Sequence, residues 1–159
     1  MRLIEVLKPQ TIKIPLNSNT QENVIRELLT LICSDKTVQD VDEIYNAVIE
    51  REKIMTTGVG RGVAIPHCKK KNCHEFAIAL GIHPTGIDFK SIDNQPVKII
   101  FLLVGPEDNP GLHIRLLSRI SRLIAKESLR ESLLKAKSAE EAYQQIKDNE
   151  EKSFENLSQ

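Results

Sequence analysis

The sequence predicts an α/β domain whose sheet is covered by helices on both faces. Three observations carry that expectation. Val97 to Val104 is almost wholly apolar, the mark of a central strand buried on both sides. Phe76-Ala77-Ile78-Ala79-Leu80-Gly81-Ile82 alternates bulky and small residues, so a helix can pack closely on one face of a second strand. Around these strands lie segments whose apolar residues recur at helical spacing, and such interleaving builds a layered fold. The 159 residues suit one domain with a proper core. It is assigned to residues 1–150, with 151–159 as a polar tail.

Taken in order, residues 2–8 suit a short helical turn ended by Pro9, and Thr11 to Leu16 alternates as a strand, with Pro15 at its end or edge. Ser18-Asn19-Thr20-Gln21 has the form of a capping box with Ser18 at the N-cap. Ile25, Leu28, Leu29 and Ile32 then give a helix its buried face, and Cys33 lies one turn beyond Leu29 as a small core residue. A second helix is expected after Thr37, with Asp40 three residues on and a stripe through Val41, Ile44 and Val48. Arg51 is the next position of that stripe. From the last turn it either snorkels to solvent or is aimed into a site.

The stretch Thr56-Thr57-Gly58-Val59-Gly60-Arg61-Gly62-Val63-Ala64-Ile65-Pro66-His67-Cys68 is the densest in signals. Alternate glycines allow a tight turn and a close approach of backbone to a ligand. Val63-Ala64-Ile65 reads as a buried strand, and Pro66 keeps Ile65 extended, so His67 is presented at the end of a rigid element. Lys69 to Cys73 reads as a basic turn, Gly86 to Phe89 as a short edge strand, and Asp93 to Pro96 as a turn. Asn109-Pro110 supplies an N-cap and a first helical residue. Leu117, Ile120 and Ile124 define that helix's inward stripe, and one turn back the same stripe reaches His113. Arg115, Arg119 and Arg122 form a solvated stripe. Glu127 to Lys137 is helical, and Ser138 to Glu141 caps a last helix around Tyr143 and Ile146, which frays from Asp148. His83 is a strand-end residue without special role.

Composition narrows the function classes. Lys and Arg number 22, as do Asp and Glu, for a formal net charge of zero. No electrostatic surplus therefore advertises nucleic acid or a membrane surface. No apolar run reaches the length of a membrane span and the N-terminus is no signal peptide, so the cytoplasm is expected. Three cysteines fit reduced thiols better than a disulfide framework.

In α/β sheets sites collect where strand ends meet helix N-termini. His67 at a strand end and His113 at a helix start fit that place, and Arg51 at a helix C-terminus can reach it. Two imidazoles, a guanidinium, glycine-rich backbone N–H groups and a helix N-terminus make an anion site containing a nucleophile. A neutral imidazole attacks phosphorus directly, with Arg51 and His113 as donors to the transferred group's oxygens. The chain has no Walker-type Gly-x-x-x-x-Gly-Lys-Ser/Thr and no Mg²⁺ carboxylate cluster. A nucleotide-free relay from another protein, without a cofactor, is therefore favoured over a kinase. The competing sites are a zinc module of His67-Cys68 with Cys73-His74 and, behind it, a Cys-His thiol enzyme. Adjacent ligands seldom both reach one tetrahedral metal, the Cys-x₂-Cys pairing is absent, and no nucleophile motif surrounds a cysteine.

Gly58-Val59-Gly60-Arg61-Gly62-Val63-Ala64-Ile65-Pro66-His67 resembles the active-site segment of the enzyme IIA component of the bacterial phosphotransferase system (PTS), in its fructose–mannitol–nitrogen class. Pro110-Gly111-Leu112-His113-Ile114-Arg115-Leu116-Leu117-Ser118-Arg119-Ile120 is similar to that family's second histidine helix, and Arg51 falls where the family carries an arginine. The resemblance implies a single three-layer domain, with a mixed sheet of about five strands between helical layers. It implies that His67 accepts a phosphoryl group from phospho-HPr on Nε2 and passes it to a IIB domain. His113 and Arg51 would stabilise the group in transit. A nitrogen-type regulatory protein, read by its phosphorylation state without transport, is the alternative. The lack of appended IIB or membrane IIC sequence leans toward it. One departure is Cys68, where the family commonly has Gly, and a Cβ there is expected to narrow a partner's approach.

Overall fold

A computed structural model describes residues 1–34, 40–71 and 73–158. In chain order the elements are α1 (Leu3–Val6), β1 (Leu7–Lys13), α2 (Gln21–Ser34), α3 (Val41–Ile54), β2 (Gly58–Gly60), β3 (Val63–Ala64), β4 (His67–Lys70), β5 (Ala77–Ile87), β6 (Val97–Pro106), α4 (Pro110–Ile124), α5 (Glu127–Lys135) and α6 (Ala139–Ser158). β6 is the spine of one mixed sheet. β5 runs antiparallel along one side of it, with β1 parallel to β5 beyond. Along its other side β3 and then β4 lie end to end, both parallel to it, and β2 is antiparallel outside β3. The expected sheet of about five strands is thus five positions wide, one of them filled by two short strands.

Strand alternation divides the core. Leu7, Ile12, Val63, Ile65, Ile78, Leu80, Ile82, Ile99, Phe101 and Leu103 face α1, α4, α5 and α6. Ala64, Cys68, Ala77, Ala79, Ile100, Leu102 and Val104 face α2 and α3. The small-residue face of β5 is therefore the seat of α2, as the alternation predicts, and β6 is buried on both sides.

Several local expectations are corrected. β1 begins at Leu7 and runs through Pro9, because the strand bulges between Leu7 and Ile12. There the missing N–H of proline costs no ladder bond, and the Thr11 hydroxyl donates to the Ile78 carbonyl at 2.8 Å. The cap of α2 is Thr20, whose Oγ1 accepts from the Asn23 N–H at 3.2 Å. Ser18 instead gives its N–H to Glu27 at 2.9 Å. Thr37 lies outside the described residues. Asp40 precedes α3 in a left-handed conformation and makes no side-chain cap. Gly86 and Ile87 belong to β5, which bulges between Ile82 and Ile87, so they form no separate edge strand. The bulge is pinned by His83. Its buried ring accepts the N–H groups of Thr85 and Gly86 at Nδ1, so Nε2 carries the hydrogen, donated to Asn19 Oδ1 at 3.0 Å.

The polar C-terminus differs most from expectation. α6 continues past Asp148 to Ser158. Glu150 is buried, and its carboxylate accepts the N–H groups of Leu3 at 2.7 Å and Ile4 at 3.2 Å. It thereby satisfies orphan donors at the start of α1.

Candidate functional site

His67 opens β4. Pro66 lacks an N–H, so the ladder beside β6 breaks after Ala64 and resumes where His67 pairs with Leu103. The strand does not end at the histidine, as the sequence suggests, but restarts there, and Lys69 and Lys70 continue it where a turn was expected. The half-buried His67 ring is fixed by its own chain: Nδ1 lies 2.8 Å from the Ile65 carbonyl oxygen. A carbonyl only accepts, so Nδ1 carries the hydrogen and the neutral ring keeps its lone pair on Nε2.

His113 stands in the first turn of α4. Asn109 Oδ1 accepts from the Leu112 N–H at 3.3 Å, and Pro110 takes the first helical position, both as the sequence predicts. The ring of His113 is 2% exposed and its centroid lies 5.7 Å from that of His67. Neither of its nitrogens has a hydrogen-bond partner among the described residues. Burial, then the charges of His67 and Lys69, push its pKa down to about 4, so the imidazole is neutral at pH 7. The ring of Phe76 adjoins it at 6.1 Å, tilted by 46°. The sequence marks Phe76 only as a bulky residue of a strand.

That depressed pKa makes a prediction about stability. The unfolded imidazole binds a proton near its ordinary 6.5, the folded one only near 4. Between those values the unfolded chain holds more protons, so stability falls as pH falls through that window, by up to about 3 kcal/mol. Urea midpoints measured at pH 7 and pH 4.5 should show the loss, and His113→Gln should remove the His113 share of it.

Arg51 is half-buried in the last turn of α3. Near one end of α3, Glu43 lies 3.8 Å from Lys70. Beyond the other end, the Thr57 carbonyl accepts from the Ile65 N–H at 3.0 Å. The helix therefore runs antiparallel to β4 and its last turn comes level with His67. It covers the opposite face of the sheet, however. Among the described residues no hydrogen bond or ion pair joins the guanidinium to either histidine.

The glycine-rich backbone does not reach the site. Gly60, Arg61 and Gly62 turn between β2 and β3 at positive φ of 95, 58 and 77°. The Arg61 N–H donates to Asp93 at 3.0 Å, and the Gly62 carbonyl accepts from Lys98 and Ile99. Val63 pairs with Ile99 and His67 with Leu103, so this turn lies about 13 Å down the sheet. Cys68 also leaves the site. Strand alternation puts its thiol on the other face from His67, in the core under α2 and α3, where burial raises its pKa to about 12. No Cβ at 68 narrows the approach to His67, and one metal cannot take both neighbours. Cys73 donates to the Glu75 carbonyl at 3.0 Å. Among the described residues no group of three or more His, Cys, Asp or Glu could hold a metal ion, and no helix is long and apolar enough to cross a membrane.

A family model described as "Phosphoenolpyruvate-dependent sugar phosphotransferase system, EIIA 2" matches residues 5–149. The fructose-specific EIIABC component of Bacillus subtilis is 36% identical over 138 residues, 87% of this chain and 22% of that protein. The nitrogen regulatory protein of Pseudomonas aeruginosa is 29% identical over 148 residues, 93% of this chain and 96% of that one. Among solved structures, nitrogen regulatory protein IIA-Ntr from Neisseria meningitidis superposes with a TM-score of 0.85 at 28% identity, covering 91% of this chain and 98% of its own.

Proposed function

The chain belongs to the EIIA 2 family of the phosphoenolpyruvate-dependent sugar phosphotransferase system, and on that premise we propose that His67 accepts a phosphoryl group from phospho-HPr on Nε2. The group then passes to a IIB domain or is presented to a regulatory target. The family consists of phosphotransferase components that relay phosphate through a histidine. The observation that carries the assignment to His67 is the hydrogen bond from its Nδ1 to the Ile65 carbonyl, which leaves Nε2 as the nucleophile beside a buried, neutral imidazole.

In the step, the Nε2 lone pair attacks phosphorus as the bond to the donor breaks, and no electron is exchanged with a cofactor. Charge spreads over the non-bridging oxygens, where a donor fixed beforehand stabilises it without reorganising. His113 supplies one N–H for that purpose, and Arg51 a forked guanidinium reaching around the free edge of β4. The carrier works in the cytoplasm with its thiols reduced. Regulation of the nitrogen type is the second reading, supported by relatives of that name whose length this chain spans almost entirely. Incubation with phosphoenolpyruvate, enzyme I and HPr should give the protein one acid-labile, alkali-stable phosphate that depends on HPr. A protein that stays unlabelled in the complete mixture overturns the reading.

A further inference from the structure

His113 has a neighbour that the phosphoryl reading leaves without a task. Phe76 stands just before β5, on the face of the sheet that carries His67, Leu103 and α4. Its ring lies over Gly105, the β6 residue that pairs with Lys69. A Cβ built at Gly105 would fall inside contact distance of Phe76 Cδ1 and Cε1, and 3.2 Å from Cζ. Only glycine leaves room for the ring to come this close to the strand, and the centroid of the same ring lies 6.1 Å from that of His113. Gly105, Phe76 and His113 are thus neighbours in turn, from sheet to helix.

We propose that Phe76 is a positioning residue for His113: seated over Gly105, its ring keeps water from the imidazole and holds it facing His67. Among the described residues the charged groups that act on His113 are His67 and Lys69, both on β4. Leu103 and Gly105 on β6 and Phe76 beside β5 bring none. A dry wall on that side adds to the cost of charging the ring. For the carrier reading, on which this consequence rests, a neutral His113 donates one hydrogen bond to the transferring group without adding a permanent cation. A second cation there, added to that of Arg51, would hold the dianionic phosphoryl group on His67 and slow its departure.

NMR titration of the unphosphorylated protein tests the wedge without any partner, with the buried His83 ring as a check that the fold persists. In the wild type His113 should titrate near 4. In Phe76→Ala and in Gly105→Ala, which drives the ring off its seat, it should move more than one unit toward 6.5, and Phe76→Leu should recover part of the shift. Transfer back from the labelled protein to HPr should then be slower at pH 5.5 than at pH 7.5 in Phe76→Ala, by about twofold for a pKa near 5.5 and by about tenfold for one near 6.5, and not in the wild type. Should Phe76→Ala not fold, Gly105→Ala and Phe76→Leu carry the same readout. A His113 that still titrates near 4 in the folded variants overturns the proposal. Failure of HPr to label the wild type would instead strike the carrier reading and leave the titration standing.

Discussion

Incubated with phospho-HPr, the wild-type protein is expected to gain a single phosphate, and His67→Ala is expected to gain none. The effect is all or nothing because, among the described residues, no second group in the site shares the nucleophile's geometry. His67 has one nitrogen committed to the Ile65 carbonyl and the other open. His113 is 2% exposed and held neutral by burial, so an incoming donor protein meets His67 first. Cys68 cannot substitute, since its thiol points into the core on the other face and its pKa is raised to about 12, far from the thiolate that attacks. His83 is committed at both nitrogens. The measurement is incorporation of phosphate from labelled phosphoenolpyruvate, with acid and alkali stability to identify phosphohistidine. Label persisting in His67→Ala would move the acceptor elsewhere and undo the assignment.

The places of the two histidines in the fold are legible because each is marked by local chemistry. Pro66 interrupts a strand just before His67, and Asn109-Pro110 fixes the start of the helix whose period turns His113 inward. The face division of β5 was legible for the same reason, since period-2 alternation is written in consecutive residues. What was not legible depends on contacts between distant segments. Glu150 looks like one more polar residue of a fraying tail until its carboxylate meets Leu3 and Ile4. His83 looks idle until the bulge brings Thr85, Gly86 and Asn19 around it. Ser18 reads as a cap, but Glu27 from the next turns of α2 takes its N–H, and the helix starts at Thr20 instead. The glycines at 58, 60 and 62 read as a ligand cradle, yet their turn serves the loop that carries Asp93. Gly105 and Phe76 lie 29 positions apart, and no periodicity joins them. Arg51 was placed by the heptad-like stripe of α3, but the stripe could not say which face of the sheet that helix covers.

The second large effect is expected at His113, where loss of the ring should slow phosphoryl transfer while leaving His67 open to labelling over longer times. The ring enters the site desolvated, with both nitrogens unpartnered among the described residues. Leaving a buried donor unpaired costs free energy, and on the proposed mechanism a phosphoryl oxygen arriving on His67 would supply the missing acceptor. The stabilisation is greatest when charge is spreading over those oxygens, so it lowers the barrier more than it tightens the bound state. Removing one such donor typically costs ~10²–10³ in rate. His113→Ala should therefore transfer at least about a hundredfold more slowly in both directions, as followed by rapid-quench labelling. His113→Gln keeps an N–H near the same place and should recover part of the loss, which a purely structural role for the ring would not allow. Arg51 is the weaker arm. Its guanidinium makes no hydrogen bond or ion pair with either histidine among the described residues, so the contribution proposed for it requires that it reach the phosphoryl group around the edge of β4. A lysine has the charge but not the fork, and Arg51→Lys should fall between the wild type and Arg51→Ala. If His113→Ala transfers at the wild-type rate, the ring is a buried helix residue and nothing more, and stabilisation of the moving group must be sought from Arg51 alone.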